Sequence, residues 1–421
     1  MERKESMHFN KETPQIMWID LNSAFATAEQ QAHPSLRGKP LGVTNRISRE
    51  CCVIAASYEA KDLGIKTGCR RSEAVQLYPK FILLETDPPK YHNVYKNLMR
   101  IMKDYSSNIQ MKSIDEGIID FHGTKQMRAG RSIQDIGLEI KQRVLEDIGN
   151  YTTINVGIGP NRFLAKTAAG LNKPDGLNVI DHTNIIDVYK KMDLQDLTGI
   201  ADGFGSRLRA SGVHTPMQFL ETSEQTLQKV IFKSVNGSYW HKRLRGFEVD
   251  DRETNLGMVG RQWVIGNPNA DEKYLRSCLH YLSETTGLKL RSKSVNARGV
   301  CVWLRYQDGH YFKERQMYKT AVHTDQDIWL RTSRLFEKRP PGALTTMGMF
   351  LYQLSNSNYS QLSLFDNQEK AESLSEAIDE INELYGTFTI HSTDTLEGKK
   401  HVKQKIPFGG TEYFDLLLKT A

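Results

Sequence analysis

A short apolar run, Ile16-Met17-Trp18-Ile19, ends on an acid, Asp20, and a later stretch, Ser113-Ile114-Asp115-Glu116, carries two adjacent acids. Side-by-side carboxylates repel, so a fold that gathers three of them has cations to hold. Oxygen-only ligands suit magnesium, and two such ions about 3.5–4 Å apart serve phosphoryl and nucleotidyl transfer. The acids therefore limit the fold to one that brings the end of an early buried strand beside the acidic pair. An Asp-Glu dipeptide alone would equally fit a solvated hairpin edge, so the rest of the chain has to decide.

At 421 residues the chain exceeds one ordinary core, and two to four units are expected. No apolar run approaches the roughly 18 residues needed to span a bilayer, so no membrane association is expected. The first fifteen residues are polar and charged, unlike a secretory signal. The five cysteines (Cys51, Cys52, Cys69, Cys278 and Cys301) lack CxxC spacing, which argues against a structural zinc or a disulfide framework. A reducing, cytoplasmic setting is expected. Net charge is +6, but it is unevenly placed: residues 257–356 hold 15 Lys/Arg against 8 Asp/Glu, while 366–383 are acidic. A polyanionic partner for the basic segment alone fits this asymmetry, as does a solvated charged surface.

Residues 16–20 read as a buried strand, followed by a helix over 23–31, strands at 41–44 and 51–56, and helices beginning near Tyr58 and Arg71. A long helix over 91–105 leads to two short strands, 109–114 and 117–121, around the acidic pair. A helix over 132–148, a strand at 153–157 and a helix after Gly159-Pro160-Asn161 follow. Residues 181–250 read as mostly helical and 249–255 as a polar linker. Beyond them the order is strand 257–265, helix 271–290, strands 297–306 and 311–319, helix 325–337 and strand 346–354, a βαββαβ order with split βαβ units. The tail from 366 reads as an amphipathic helix (Leu374, Ala377, Ile378, Ile381, Leu384) and then as irregular chain.

Several motifs stand in one order: Asp20-Leu21-Asn22-Ser23-Ala24-Phe25-Ala26, Ser57-Tyr58-Glu59-Ala60-Lys61, Ser113-Ile114-Asp115-Glu116, Val156-Gly157-Ile158-Gly159-Pro160-Asn161, Ala165-Lys166, Asn172-Lys173-Pro174-Asp175-Gly176 and Gly199-Ile200-Ala201. Together they resemble the Y-family of lesion-bypass DNA polymerases, in particular the bacterial branch of DNA polymerase IV and UmuC, over residues 14–365. The resemblance implies an α+β right hand. Its parts would be a ferredoxin-like palm (14–23 and 86–180), small fingers (24–85), a helical thumb with a helix-hairpin-helix (181–248), a linker (249–255), a βαββαβ little finger (256–356) and a tail (357–421).

The roles below are likewise implied by the resemblance. Asp20, Asp115, Glu116 and the main-chain carbonyl of Leu21 would hold two Mg2+ ions. Strand neighbours point to opposite faces, so Asp115 and Glu116 share a site only if the hairpin twists there or one binds at the edge. Phe25 would be the steric gate beneath the sugar. Tyr58 and Lys61, one helical turn apart, and Lys173 would meet the triphosphate of a deoxynucleotide. Relatives often have Arg at the Lys61 position, and a lysine grips phosphate as a point charge rather than a fork. Asn22 and Ala24 stand where many relatives have acidic and aromatic residues. Gly199, Ile200 and Ala201 would present backbone N–H groups to a DNA phosphate, with Ala201 restricting positive φ where relatives often have Gly.

The stretch Gln361-Leu362-Ser363-Leu364-Phe365 resembles the peptide by which bacterial polymerases bind their sliding clamp; two large apolar side chains in polar sequence suit a partner pocket. The expected activity is template-directed translesion synthesis on primer-template DNA by a monomer, at low fidelity. The residues beyond 365 are too few for a proofreading exonuclease domain. A catalytically idle, clamp-recruited DNA-binding paralogue is the alternative, and such a protein would be expected to lose the acids. A nucleotidyl cyclase on a similar palm has no need of a thumb hairpin or a basic duplex track.

Overall fold

The computed structural model describes residues 8–48, 51–252, 256–266, 270–356, 368–386 and 388–402. They fall into two units that divide after Arg252.

In the first unit, β1 (Ile16–Leu21), α1 (Ala24–Ala32), β2 (Leu41–Thr44), β3 (Ala55–Ala56), α2 (Tyr58–Asp62), α3 (Arg71–Leu77) and β4 (Ile82–Glu85) come first. Next are α4 (Pro88–Lys103), β5 (Ile109–Met111), β6 (Glu116–Asp120), α5 (Lys125–Arg128), α6 (Ile133–Asp147), β7 (Ile154–Gly159), α7 (Arg162–Gly170) and β8 (Leu177–Val179). A helical run closes the unit: α8 (Ile185–Lys190), α9 (Asp202–Ala210), α10 (Pro216–Glu221), α11 (Glu224–Thr226) and α12 (Asn236–Arg243).

The five-stranded sheet has the order β5-β6-β1-β7-β8, with β1 antiparallel to both neighbours. Period-two alternation along β1 sends Met17, Ile19 and Leu21 to one face and Ile16, Trp18 and Asp20 to the other. The first set packs against Leu98, Ile101 and Met102 of α4 and Ile136, Ile140 and Val144 of α6. Full burial of each such side chain contributes roughly 1.5–3 kcal/mol, so this face fixes the strand register. Both helices start on side-chain caps: Asp87 accepts from the Lys90 N–H and Ser132 from the Asp135 N–H. The opposite face packs Ile16, Trp18 and Ile118 against Ala165 and Ala169 of α7. A Cβ at Gly157 would stand 2.0 Å from the Ala165 carbonyl oxygen, so only glycine lets α7 lie this close to β7.

A smaller sheet, β3-β2-β4, lies between α1 and α4 in sequence. The strand expected over 51–56 is shorter than its apolar content suggested. Only Ala55–Ala56 pair with β2, while Cys52 makes an isolated bridge to Arg70. The strand expected at 109–114 likewise ends at Met111. The helical run has its own core, including Ile200, Leu208, Phe219, Phe232 and Trp240.

The second unit contains β9 (Met258–Val264), α13 (Glu272–Arg291), β10 (Val295–Tyr306), β11 (Tyr311–Val322), α14 (Asp325–Phe336), β12 (Leu344–Asn356), α15 (Gln368–Tyr385) and α16 (Leu396–His401). Its sheet runs β11-β10-β12-β9, every pair antiparallel. Each βαβ crossover is split by one intervening strand, as the element order implied.

The tail departs from expectation. The segment read as irregular after the amphipathic helix forms α16, and Phe388 and Val402 join the core beside α13. Its polar residues are spent on fixed bonds. Ser277 Oγ donates to the Asp394 carbonyl and accepts from the Gly398 N–H, each at 2.8 Å, and Arg291 is doubly bonded to Asp379. A polar run therefore read as irregular in the sequence although its partners lie on α13.

Candidate active site

The β1–β6 ladder places Asp20 directly opposite Glu116. Asp115 is not in a strand: it lies in the bend before β6, and its carbonyl accepts the Leu21 N–H at 2.8 Å. Strand alternation therefore does not govern the Asp115–Glu116 pair, which resolves how two sequence neighbours border one site. The hairpin is closed by the Lys112 and Ser113 N–H groups, both donating to the Glu116 carbonyl.

Burial pushes the Asp20 carboxyl above the ordinary carboxylate range; Lys173 opposes that shift, and Asp115 and Glu116 add to it. Asp115 moves the same way, again mainly through burial, against a hydrogen bond from Ser113 and with a contribution from Glu116. These are carboxylates short of positive charge. Two lysines partly supply it: Lys173 Nζ lies 2.8 Å from Asp20 Oδ2, and Lys166 Nζ lies 3.0 Å from Glu116 Oε1. The Trp18 indole N–H donates to Glu116 Oε2 at 3.1 Å.

The donor chemistry suits a hard divalent cation: crowded, desolvated carboxylate oxygens with ammonium groups already drawn to them. Glu116 is turned toward Trp18 and Lys166. Among the described residues no three His, Cys, Asp or Glu side chains form a closed cation nest.

Asn22 explains how the Lys173 loop is held. It is buried, donates to Asn155 Oδ1 at 3.0 Å, and accepts from Thr153 Oγ1 and the Asp175 N–H at 2.9 Å each. Asn155 in turn donates to the Leu171 carbonyl and accepts from the Gly176 N–H. An amide can donate and accept at once, which an ionised carboxylate in this place cannot, so the departure at Asn22 has a structural use.

Lys61 Nζ donates to Ser23 Oγ at 2.7 Å and lies 4.3 Å from the Tyr58 ring centroid. Its ammonium is held below its usual pKa by burial and by the like charge of Lys173. Asp20 partly offsets this, so Lys61, Lys173 and Asp20 sense one another. The Tyr58 hydroxyl is pushed up by burial and by Asp20. Phe25 stacks on Tyr91 with ring centroids 4.5 Å apart and planes 21° from parallel. Tyr91 is fixed by its hydroxyl, which donates to buried Glu29 at 2.7 Å.

The remaining expected residues lie elsewhere. Gly199-Ile200-Ala201 leads into α9 within the helical run: Ile200 is buried and Ala201 is the N-cap. The positive φ falls on Gly199 (+94°), while Ala201 has φ −94°, so alanine at 201 imposes no strain and the expected restriction does not arise. Gln361, Leu362, Ser363, Leu364 and Phe365 lie outside the described residues. Sequence reasoning gave no role to Trp18, Lys166, Asn155 or Tyr91. Lys166 stood only within the Ala165-Lys166 motif, a lone cation in the otherwise uncharged stretch Phe163-Leu164-Ala165-Lys166-Thr167-Ala168.

The chain is similar to known proteins. Residues 19–170 match the impB/mucB/samB family and residues 259–364 match the C-terminal domain of that family. The chain is similar to DNA polymerase IV of Moorella thermoacetica, 30% identical over 395 residues, covering 91% of this chain and 96% of the relative. DNA polymerase IV 1 of Bacillus subtilis is 27% identical over 401 residues, covering 93% and 95%. In fold, the chain resembles a Y-family polymerase chimera of Dbh and Dpo4 (TM-score 0.67, 22% identity, 81% and 99% covered). It also resembles DinB of Sulfolobus solfataricus (TM-score 0.52, 22% identity, 80% and 98% covered).

Proposed function

The chain belongs to the impB/mucB/samB family of Y-family DNA polymerases, and we propose that Asp20, Asp115 and Glu116 are its catalytic acids. It is a DNA-directed DNA polymerase of the translesion class, in a family that generally uses divalent metal ions. The observation that carries the site assignment is the register Asp20↔Glu116, with Asp115 in the adjoining bend and two lysine ammonium groups drawn to the cluster.

In this reading the three acids and the Leu21 carbonyl hold two Mg2+ ions. The ions would lower the pKa of the primer 3′-hydroxyl and offset charge on the triphosphate and the leaving pyrophosphate. The chain's own residues bind and orient. Lys173, Lys61 and Tyr58 border Asp20 and offer charge and a hydroxyl to the triphosphate of a deoxynucleotide. Phe25, backed by Tyr91, places an aromatic face where a 2′-hydroxyl would project. Residues 14–23 and 86–180 serve as palm, 24–85 as fingers, 181–248 as thumb and 256–356 as little finger.

The Gly199-Ile200-Ala201 turn approaches a DNA phosphate at the start of α9 through the backbone N–H groups of Gly199 and Ala201, since that of Ile200 donates to the Leu197 carbonyl at 2.9 Å. The basic second unit tracks the duplex backbone, and residues 361–365 recruit a sliding clamp. Low fidelity, synthesis without proofreading, a monomeric state and a cytoplasmic setting belong to the same reading. No helix among the described residues is long and apolar enough to cross a membrane.

Primer extension on an undamaged template with Mg2+ tests the site: wild type extends, and Asp115→Ala binds the primer-template without adding nucleotides. Extension by Asp115→Ala at the wild-type rate would remove the assignment. Deleting 361–365 should spare basal extension and abolish stimulation by the clamp.

A further inference from the structure

Glu116 is the third acid of the cluster, yet both its oxygens are engaged on the sheet face that α7 covers, one by α7 and one by β1. Lys166 reaches Oε1 at 3.0 Å, and the Trp18 indole N–H reaches Oε2 at 3.1 Å. Lys166 Nζ also lies 4.6 Å from the Trp18 ring centroid, so the three groups form a closed triangle of ion pair, hydrogen bond and cation–π contact.

The triangle is built in by the fold. Trp18 and Asp20 lie two positions apart on β1 and so share a face, and Glu116 stands opposite Asp20. The helix α7 covers that face with Ala165 and Ala169 against Ile16, Trp18 and Ile118. Small residues there let α7 approach closely, and Lys166 is the one long side chain of the Ala165–Ala169 stretch. Trp18 is almost fully buried, so its N–H has a strong need of an acceptor, and Glu116 supplies it.

We propose that Trp18 and Lys166 are positioning residues that hold Glu116 away from Asp20 and Asp115 until a divalent cation draws it off. The inference rests on the reading of Asp20, Asp115 and Glu116 as cation ligands. Trp18 and Lys166 then set how strongly the site resists a cation, since occupancy costs the Glu116 contacts with both. Lys166, released, keeps its place over the indole ring. Trp18 becomes an optical reporter of the exchange, because its N–H loses a carboxylate acceptor.

The test is titration of the full chain with Mg2+ alone, followed by calorimetry and by tryptophan emission. The proteins compared are wild type, Trp18→Phe, Lys166→Met, Lys166→Arg and Asp115→Ala, each checked for folding by circular dichroism. Removing one charge-assisted competitor should tighten Mg2+ binding by roughly tenfold in Trp18→Phe and in Lys166→Met. Lys166→Arg should restore the wild-type affinity. The Mg2+-induced emission change should be present in wild type and absent in Trp18→Phe. Unchanged or weaker Mg2+ binding in both Trp18→Phe and Lys166→Met, with binding lost in Asp115→Ala, would overturn the positioning role and leave the acid cluster standing. Wild-type Mg2+ binding retained in Asp115→Ala would overturn the cluster itself, and the positioning role with it.

Discussion

Lys173 Nζ lies 2.8 Å from Asp20 Oδ2, bringing the loop after α7 to the end of the central strand. The contact joins a group assigned to the triphosphate with a group assigned to a cation. In the proposed reading Lys173 balances the acid before substrate arrives and would be freed for the triphosphate once divalent charge took its place. The Asn22–Asn155 pair keeps that loop in position from beneath.

Lys173→Gln should raise KM for the incoming deoxynucleotide by roughly ten- to hundredfold, the scale of one lost charge-assisted contact. Primer-template affinity should stay near wild type. Steady-state incorporation and a gel-shift measurement together check this, and an unchanged KM would remove Lys173 from the triphosphate site.

Phe25→Ala should admit ribonucleotides, narrowing discrimination against them by roughly ten- to hundredfold. Tyr91 backs the Phe25 ring, so a variant that removes only the Phe25 ring leaves its support intact. Incorporation of matched ribo- and deoxynucleotides by the same preparation is the measurement. Unchanged sugar selectivity would mean that Phe25 is an ordinary packed aromatic.

Glu284 on α13 gives the second unit a pH dependence. Its carboxyl is buried under the tail, accepts the Ser392 N–H at 3.1 Å, and is pushed by desolvation from 4.5 to about 7. His280, Tyr281, Asp325 and Arg291 are charged or titratable groups around it, with His280 4.0 Å away. A raised acid pKa means that the folded state binds the proton more tightly than the unfolded one. The Glu284 contribution to stability therefore falls as pH rises from about 4.5 to about 7, while neighbouring His280, which burial lowers from 6.5 to about 4, contributes in the opposite sense over part of that range. Chemical denaturation across this range should show wild type losing stability relative to Glu284→Gln as pH rises, with Glu284→Gln the more stable protein at pH 8. Parallel profiles for the two proteins would contradict the account.

The excess of Lys and Arg over 257–356 should make primer-template affinity fall linearly with log salt. Arg315 is exposed on β11, and Arg315→Gln should weaken binding about equally on all sequences and reduce the salt slope by about one. Fluorescence anisotropy at several salt concentrations measures both. A salt-insensitive association would take the DNA backbone away from this unit.

Most of what positions the site was legible in the chain. The apolar run ending at Asp20 and the β-strand and helix order act locally, so their spacing shows in sequence, whereas the Asp87 cap, which starts α4 three residues before the helix expected at 91, went unread. Asp115 was harder, because strand alternation could not say that the strand begins only at Glu116. Trp18 and Lys166 were invisible as partners. Trp18 stood only in the apolar run and Lys166 only in the Ala165-Lys166 motif, and their meeting at Glu116 depends on α7 lying against β1. The tail was misread for a similar reason: Ser277, Glu284 and Arg291, which fix it, are distant in sequence. Ala201 posed a concern on the assumption that its position needs positive φ, whereas Gly199 takes that conformation.

The central claim is that three acids at the β1–β6 junction drive synthesis past damaged bases. Primer extension across an abasic site with Mg2+, comparing wild type with Asp20→Ala, Asp115→Ala and Glu116→Ala, tests it most directly. The account predicts nucleotides added opposite and beyond the lesion by wild type alone, with all four proteins binding the primer-template. A wild-type chain that binds this DNA and adds nothing would contradict it, and would favour a clamp-recruited binding protein without catalysis.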